Sequence, residues 1–264
     1  MNSPAPIVLY QQRGAVALVT LNRPEVLNSF NQALRLESAA ALKRAAADPA
    51  VAAVVITAAG RAFSAGADLK AMDPRQVTGA EVRRQLEEEY GSGLQAIAEM
   101  AKPVIAAIEG LVAGIGCAYM LASDLVVMAE DAYFTLPFHN IGLIPDGGIT
   151  WLLERQLGAR RAFEMAADCE RVPASRCREL GLVNRVVPKG TAAEAALQWA
   201  DRLAARAPLA LLHTKRLLRD APTVALAQSL RAEAIAQMQC ADSEDFREGV
   251  AAFLEKREPR FSGQ

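Results

Sequence analysis

Two glycines separated by one residue, Gly114 and Gly116, follow a short apolar run near the middle of the chain. An apolar strand followed by glycines and small apolar residues predicts a helix that begins at the glycines, where the first N–H groups have no intrahelical acceptor. The positive end of the helix dipole also favours a negative charge there. Residues 102–124 could therefore hold an oxyanion with backbone donors, whereas the plainer alternative is that the glycines allow close helix packing.

A second glycine-containing segment, residues 60–70, is predicted to form a loop after a buried strand. Open α/β sheets bind ligands beyond the carboxyl ends of their strands, and Gly66 would let the backbone approach a ligand closely. The alternative is a tight turn in which Asp68 caps the next helical segment. The segment alone leaves both interpretations open.

One acidic residue, Asp146, stands in the short motif 144–148, which reads Ile-Pro-Asp-Gly-Gly and precedes a predicted helix. A carboxyl in an apolar pocket has a raised pKa, which suits a group that takes up and returns a proton. The alternative is that Asp146 caps the helix that follows, with its carboxylate bound to backbone N–H groups.

The remaining reactive residue types point away from several other chemistries. The two histidines, His139 and His213, are far apart, and the four cysteines form no CxxC pair, so neither a zinc site nor a His-based triad is predicted. The thiols are expected to be reduced, as in the cytoplasm. The glycines at 114 and 116 lack the third glycine of a dinucleotide-binding fingerprint, because Tyr119 occupies its position.

Composition sets wider limits. The chain has 264 residues, of which 52% are apolar and 22% charged, and its net charge is -1. These values are typical of a soluble globular protein and argue against binding to nucleic acid, which needs a basic face. Residues 1–10 lack the features of a signal peptide. The apolar segment around residue 110 is interrupted by Glu109 and is rich in small residues, which favours a buried helix over a membrane span.

The pattern of elements predicts an α/β core followed by helices. Predicted strands cover 7–10, 15–21, 51–57, 104–108, 125–128, 133–136 and 183–187. Predicted helices cover 34–46 with Asn31 as N-cap, 77–100, 117–123, 149–157, 160–167, 173–180, 192–205, 209–219, 223–239 and 243–255. Residues 1–190 are interpreted as the core and 191–264 as a helical region whose apolar faces predict contact with other subunits.

Five motifs in register resemble those of the enoyl-CoA hydratase/isomerase (crotonase) family. They are residues 22–30 (NRPEVLNSF), 60–72 (GRAFSAGADLKAM), 102–127 (KPVIAAIEGLVAGIGCAYMLASDLVV), 142–153 (GLIPDGGITWLL) and 248–261 (EGVAAFLEKREPRF). The resemblance covers nearly the whole chain. It implies a spiral of ββα turns, a C-terminal helical region that builds trimers or dimers of trimers, and an acyl-CoA thioester as substrate, with no separate cofactor.

The resemblance also assigns roles to residues. It implies that the N–H groups of Ala67 and Ile115 hold the thioester oxygen while it becomes an enolate. It places the coenzyme A portion against Arg23, Val26, Ala65, Gly66, Asp68, Leu69, Lys70 and Gly114. It further implies that Phe253 and Lys256 reach the coenzyme from a neighbouring subunit, although Lys256 alone would otherwise be read as a solvated surface charge.

Two departures from the family pattern bear on the reaction. Hydratases of the family carry glutamates at the positions of Ala118 and Phe138, and neither of these side chains can hold a proton. Isomerases of the family use an aspartate in the motif that contains Asp146, and this segment looks most like that of the ring-epoxide isomerase of phenylacetate breakdown. We expect an isomerase with Asp146 as the acid/base group, and His139 and Asn140 as further pocket residues.

Other functions remain open at this level. One is hydration or other enolate chemistry on an acyl-CoA, and another is a non-catalytic CoA-thioester or RNA-binding relative. The identity of the acyl group is expected to depend on residues 72–90 and on the last helices.

Overall fold

Two sheets, to which the chain contributes strands in turn, form the framework of the fold. The structure is a computed structural model and describes residues 5–71 and 75–264. Its strands are β1 (Val8–Arg13), β2 (Val16–Leu21), β3 (Ala53–Ala58), β4 (Ala62–Ser64), β5 (Val104–Ile108), β6 (Leu111–Ala113), β7 (Leu125–Ala129), β8 (Tyr133–Thr135), β9 (Val172–Pro173) and β10 (Arg185–Val187).

The strand order shows a spiral. The six-stranded sheet has the order β1-β2-β3-β5-β7-β10, and the four-stranded sheet has the order β4-β6-β8-β9. After the β1–β2 hairpin, three successive turns of the chain each add a strand to the larger sheet and then one to the smaller sheet, from β3 to β8. Strand β9 then joins the smaller sheet, and β10 joins the larger one. Pairing is antiparallel between β1 and β2 and between β8 and β9, and parallel elsewhere. This arrangement matches the spiral of ββα turns that the family resemblance implies.

Helices cover both faces of the larger sheet. The helices of the described residues are α1 (Gln32–Ala47), α2 (Gly79–Arg84), α3 (Gly91–Glu99), α4 (Ile115–Ala122), α5 (Ile149–Leu157), α6 (Ala159–Asp168), α7 (Ala174–Glu179), α8 (Ala192–Ala204), α9 (Pro208–Asp220), α10 (Leu226–Ala241) and α11 (Glu244–Glu255). Short 3₁₀-helices occupy Pro24–Val26, Leu69–Ala71, His139–Ile141 and Ala221–Thr223.

The central strands are buried on both faces, as parallel strands between helices usually are. On one face, Val54, Ile56 and Ile108 belong to the main core with α1 and α4. On the other face, Val55 and Ile105 pack in a second cluster with α8. The sheet is thereby fixed from both sides, and the loops at its edge are held in place.

Most predicted elements are confirmed, but the predicted loop and turn segments contain strands. Residues 62–64, in the predicted loop 60–70, form β4, and residues 111–113, between the predicted strand 104–108 and the predicted helix 117–123, form β6. Residues 172–173 form β9, at a position where a helix was expected to begin. These strands are two or three residues long, too short to show the alternation by which a strand is recognised.

The predicted helix 77–100 begins at Gly79 and is not uniform. A π-helix, Gln85–Tyr90, separates α2 from α3, and the Gly91 N–H donates to the Leu86 carbonyl five residues back. The extra residue in this turn changes which side chains face inward. Part of the segment that the sequence links to acyl specificity, residues 72–74, lies outside the described residues.

The structure bears on two further predictions from composition. Among the residues that the structure describes, no helix is both long and apolar enough to cross a membrane. All four cysteines are free thiols, as expected. The division of the chain at residue 190 stays a prediction.

Candidate active site

The two glycine-containing segments meet through their backbones. Gly66 has φ +92° and Gly114 has φ +54°, both in the region that favours glycine. A Cβ built on Gly114 would lie 3.2 Å from the Gly66 Cα, and one built on Gly66 would lie 3.4 Å from the Gly114 Cα. Only residues without side chains allow this close approach, which brings the peptides that follow each glycine to one place.

The residue after Gly66 presents its N–H away from the neighbouring chain segment. The Phe30 N–H donates to the Gly66 carbonyl at 2.8 Å, and the Asp68 N–H donates to the Phe30 carbonyl at 3.1 Å. Ala67 lies between these two bonds in a parallel bridge with Phe30, so its own N–H faces the other side. Among the described residues, the Ala67 N–H donates to no backbone carbonyl.

The residue after Gly114 supplies a second free donor. Ile115 is the first residue of α4, where a backbone N–H has no acceptor within the helix. Its N–H also makes no backbone hydrogen bond to the rest of the described chain. The side chain of Ile115 is buried, so this position contributes a donor to the site and an apolar group to the core.

Both donor residues line one small cavity of about 90 Å³. Its walls are mainly apolar and carry a single carboxyl group, that of Asp146. The lining residues are Ala65, Gly66, Ala67, Leu69, Tyr90, Gly114, Ile115, Pro137, Phe138, Ile141, Leu143 and Asp146. The structure therefore brings together the two backbone donors and the one acid that the sequence singled out.

Asp146 has the surroundings of a proton-transfer group. Its Oδ1 is buried without a hydrogen-bond partner among the described residues. Burial raises the pKa of this carboxyl to about 6, opposed in part by a hydrogen bond from its own backbone N–H. The helix cap expected from the alternative interpretation is absent, because Gly148 is the N-cap of α5 and no side chain caps it.

The segment that carries Asp146 packs against the helix that supplies Ile115. A Cβ built on Gly147 would lie 2.4 Å from the Ile115 Cδ1 and 3.0 Å from the Ala118 Cβ. Because Gly147 and Ala118 are both small, the carboxyl of Asp146 can approach the start of α4 closely. The buried side chain of Phe138 covers the same cavity next to Gly114.

A larger cavity of about 540 Å³ adjoins the small one. The two share five lining residues: Ala67, Leu69, Tyr90, Leu143 and Asp146. Its other walls come from the start of α1 and from residues 81–86, and they include the polar side chains of Asn31, Gln32, Arg35, Asp68, Glu81 and Gln85. Tyr90, the last residue of the segment 72–90 on which the acyl group was expected to depend, was not itself predicted to be a site residue.

The family model described as "Enoyl-CoA hydratase/isomerase" matches residues 11–264. The chain belongs to the enoyl-CoA hydratase/isomerase family. The assignment suits a cavity that brings two backbone donors and a carboxyl group together.

Individual relatives differ in the reaction that their names state. The chain is 40% identical to "Probable enoyl-CoA hydratase" of Rhodobacter capsulatus, over 97% of this chain and 98% of that protein. It is 38% identical to "1,2-epoxyphenylacetyl-CoA isomerase" of Escherichia coli, over 98% of each chain. Among solved structures, an enoyl-CoA hydratase from Polaromonas sp. JS666 superposes with a TM-score of 0.92 at 36% identity, covering 97% of this chain and 99% of that one.

Within this enoyl-CoA hydratase/isomerase fold, the residues expected to bind coenzyme A fall into two groups. Ala65, Gly66, Leu69 and Gly114 line the small cavity, and Asp68 lines the larger one.

Three further residues expected to contact coenzyme A line neither cavity. Arg23 donates from Nη1 to Asp68 Oδ2 at 2.9 Å and to the Ser29 carbonyl at 2.6 Å, which holds the loop in place. Val26 is half-buried, Lys70 is exposed, and neither lines a cavity. Contact of these residues with coenzyme A stays a prediction.

The remaining predicted residues lie outside both cavities. Phe253 and Lys256 are exposed at the C-terminal end of α11, and their contact with a neighbouring subunit's coenzyme stays a prediction. His139 and Asn140 are exposed and line neither cavity, so the expectation that they form pocket walls is wrong. The 3₁₀-helix that carries them turns Ile141 toward the small cavity instead.

Proposed function

We propose that this protein is an acyl-CoA isomerase that moves a proton between carbons of an unsaturated or ring-epoxide CoA thioester. The observation that carries the proposal is the small cavity that Ala67, Ile115 and Asp146 line together. Among the described residues, the N–H groups of Ala67 and Ile115 make no backbone hydrogen bond, and the buried Oδ1 of Asp146 has no partner. The Escherichia coli relative named as a 1,2-epoxyphenylacetyl-CoA isomerase supports the choice of substrate class.

The backbone donors stabilise the charge that the reaction creates. Removal of a proton from a carbon next to a thioester places negative charge on the thioester oxygen. The N–H groups of Ala67 and Ile115 donate hydrogen bonds to that oxygen, in a cavity with mainly apolar walls. A well-placed donor of this kind lowers the barrier by about 2.7–4 kcal/mol.

Asp146 carries the proton from one carbon to another. With a pKa of about 6, its carboxyl is mostly ionised at neutral pH yet remains basic enough to take a proton from an activated carbon. The protonated carboxyl then returns the proton to a second carbon of the same substrate. One carboxyl suffices for such a shift, which agrees with the apolar residues at positions 118 and 138.

The test compares wild type with Asp146→Asn on unsaturated and ring-epoxide CoA thioesters. We expect the rate to fall by about 10²–10⁴, the contribution typical of a general acid–base group. Asp131→Asn is the matched control, because Asp131 pairs with Lys189 at the surface and lines neither cavity. Turnover by Asp146→Asn at the wild-type rate would show that the assignment is wrong.

Hydration is the second candidate, favoured by relatives that are named as hydratases. Hydration requires one group to activate water and one to protonate a carbon. Because positions 118 and 138 carry no carboxyl, they cannot supply these groups. Crotonyl-CoA in ¹⁸O-water separates the two reactions. An isomerase leaves the label in solvent, whereas rapid transfer of ¹⁸O to the product, faster than any isomerisation, would favour the hydratase.

A further inference from the structure

Tyr90 stands where the two cavities join, next to the proposed proton carrier. Its side chain is 6% exposed and lines both cavities, together with Ala67 and Asp146. In the proposed reaction, the thioester oxygen is bound at Ala67 and Ile115, and the carbons of the acyl group reach Asp146. An acyl group in this position also passes Tyr90. The placement of the acyl group rests on the proposed function, whereas the position of Tyr90 does not.

The π-helix explains why Tyr90 faces this junction. Glu89 and Tyr90 are adjacent in sequence, yet both side chains are buried. The wide turn from Gln85 to Tyr90 lets Glu89 face α1 while the ring of Tyr90 lies beside Phe30, with ring centroids 6.3 Å apart. Such π-helical turns occur frequently at functional sites.

A buried ion pair holds the hydroxyl group of Tyr90 in place. Arg35 donates from Nε to Glu89 Oε2 at 2.7 Å, and these side chains are 9% and 5% exposed. Arg84 donates to the other oxygen of Glu89 at 2.8 Å. The Nη1 of Arg35 lies 3.4 Å from the Tyr90 hydroxyl oxygen, and its Cζ lies 4.9 Å from the ring centroid.

This arrangement leaves the hydroxyl proton of Tyr90 available to a ligand. Arginine is a donor only, so the tyrosine oxygen is the acceptor in the contact with Arg35. Burial raises the pKa of Tyr90, which keeps the hydroxyl protonated at neutral pH. Asp146 Oδ1 does not take this proton, since it has no hydrogen-bond partner among the described residues.

The other side chains of the small cavity cannot replace this donor. Leu69, Ile115, Pro137, Phe138, Ile141 and Leu143 are apolar, and Tyr90 carries the one hydroxyl among the lining residues. An oxygen atom on a bound acyl group would be desolvated in this cavity and could accept a hydrogen bond from the Tyr90 hydroxyl. A purely hydrocarbon acyl group would leave the hydroxyl proton of Tyr90 without an acceptor, which is unfavourable in a buried site.

We propose that the Tyr90 hydroxyl donates a hydrogen bond to an oxygen on the acyl group, close to the carbons that Asp146 serves, and so selects oxygen-bearing acyl groups over hydrocarbon ones. Suitable oxygens are those of an epoxide, an ether or a hydroxyl group. Tyr90 is thus a specificity-determining residue, separate from the backbone donors and from Asp146.

The test measures binding of two matched ligands that the enzyme cannot isomerise, phenylacetyl-CoA and (2-hydroxyphenyl)acetyl-CoA. We expect wild type to bind the hydroxylated ligand about three- to tenfold more tightly by calorimetry, the value of one hydrogen bond. Tyr90→Phe should remove this preference while keeping the ring in place. Tyr119→Phe is the control, because its buried hydroxyl bonds Ser38 and lines neither cavity, so the preference should remain.

The outcomes separate this inference from the proposed function. Equal binding of both ligands by wild type, a preference that persists in Tyr90→Phe, or no binding of either ligand would overturn the inference. A shift in the pH–rate profile of Tyr90→Phe with an unchanged ligand preference would also overturn it, because Tyr90 would then act on Asp146 and not on the substrate. Asp146→Asn that retains turnover would refute the isomerase mechanism and leave the binding result standing.

Discussion

At the scale of single residues, the site depends on one carboxyl whose pKa is raised by burial. Only the ionised form of Asp146 can accept a proton from substrate, and burial raises the pKa of this group to about 6. We therefore expect kcat/KM for isomerisation to rise about tenfold per pH unit below pH 6 and to level off above it. Measurement of this profile between pH 4.5 and 8, with Asp131→Asn as the control, checks the prediction, and a flat profile would contradict it.

The same raised pKa has a consequence for stability. The folded protein holds the Asp146 proton more tightly than the unfolded chain, whose carboxyl has a pKa of 3.8. The contribution of this group to stability is therefore fully present below pH 4 and is lost as pH rises to about 6.

Asp146→Asn should consequently be more stable than wild type at pH 7, by on the order of 1–3 kcal/mol. The difference should shrink toward pH 4. Urea unfolding at both pH values measures this difference. A variant less stable than wild type at pH 7 would show that the ionised carboxyl does not destabilise the folded protein.

At the scale of elements, the N–H donors of Ala67 and Ile115 lie at one cavity because the two glycine-containing segments are in backbone contact. Gly114 is the N-cap of α4 with φ +54° and ψ -130°, and a Cβ there would press on the Gly66 backbone. Gly114→Ala should separate the two segments and lower kcat by about 10²-fold or more, the effect of losing one oxyanion donor.

The matched control for this variant is Gly14→Ala. Gly14 has a similar φ of +57° in the β1–β2 turn, but a Cβ there would meet nothing within 4 Å. Both variants strain the backbone, so both should lose stability, by about 1–3 kcal/mol. Only the Gly114 variant should lose activity; equal losses in the two would mean that strain, and not the contact between the segments, explains the effect.

The sequence predicted the elements whose patterns are long and locally determined. Helix α1 begins after Asn31, whose side chain accepts from the Leu34 N–H, and α5 follows Gly148 as expected. Glu109, which interrupts the apolar segment around residue 110, accepts from the N–H groups of Gly190 and Ala192 at the start of α8.

What the sequence did not reveal depends on contacts between distant segments. The strands β4 and β6 are three residues long and exist because they pair with each other. The backbone donors were found through glycine positions and family resemblance, since a free N–H leaves no trace in residue type. Tyr90 was missed because its role requires the π-helix and a buried pair between Arg35 and Glu89, 54 positions apart.

At the scale of the whole molecule, the C-terminal helices expose a large apolar surface. Phe253, Leu254 and Leu226 are 82%, 73% and 76% exposed, and further apolar side chains of α10 and α11 are about half exposed: Leu230, Ile235, Met238 and Phe246. Patches of this kind usually mark protein contacts. Together with the resemblance-based role of Lys256, this surface predicts that a neighbouring subunit completes the coenzyme site.

Mixing two variants of lowered activity tests whether Lys256 acts across subunits. Asp146→Asn removes the proton carrier, and Lys256→Glu should weaken coenzyme binding and lower kcat/KM about tenfold or more. If Lys256 serves the neighbouring site, an assembly refolded from both chains contains some sites with an intact Asp146 from one chain and an intact Lys256 from the other. Activity at low substrate concentration should then exceed the average of the two pure variants. One variant is labelled with ¹⁵N so that native mass spectrometry can identify mixed assemblies. If the activity equals that average although mixed assemblies are present, Lys256 does not act across the interface, and the apolar surface of α10 and α11 serves assembly alone.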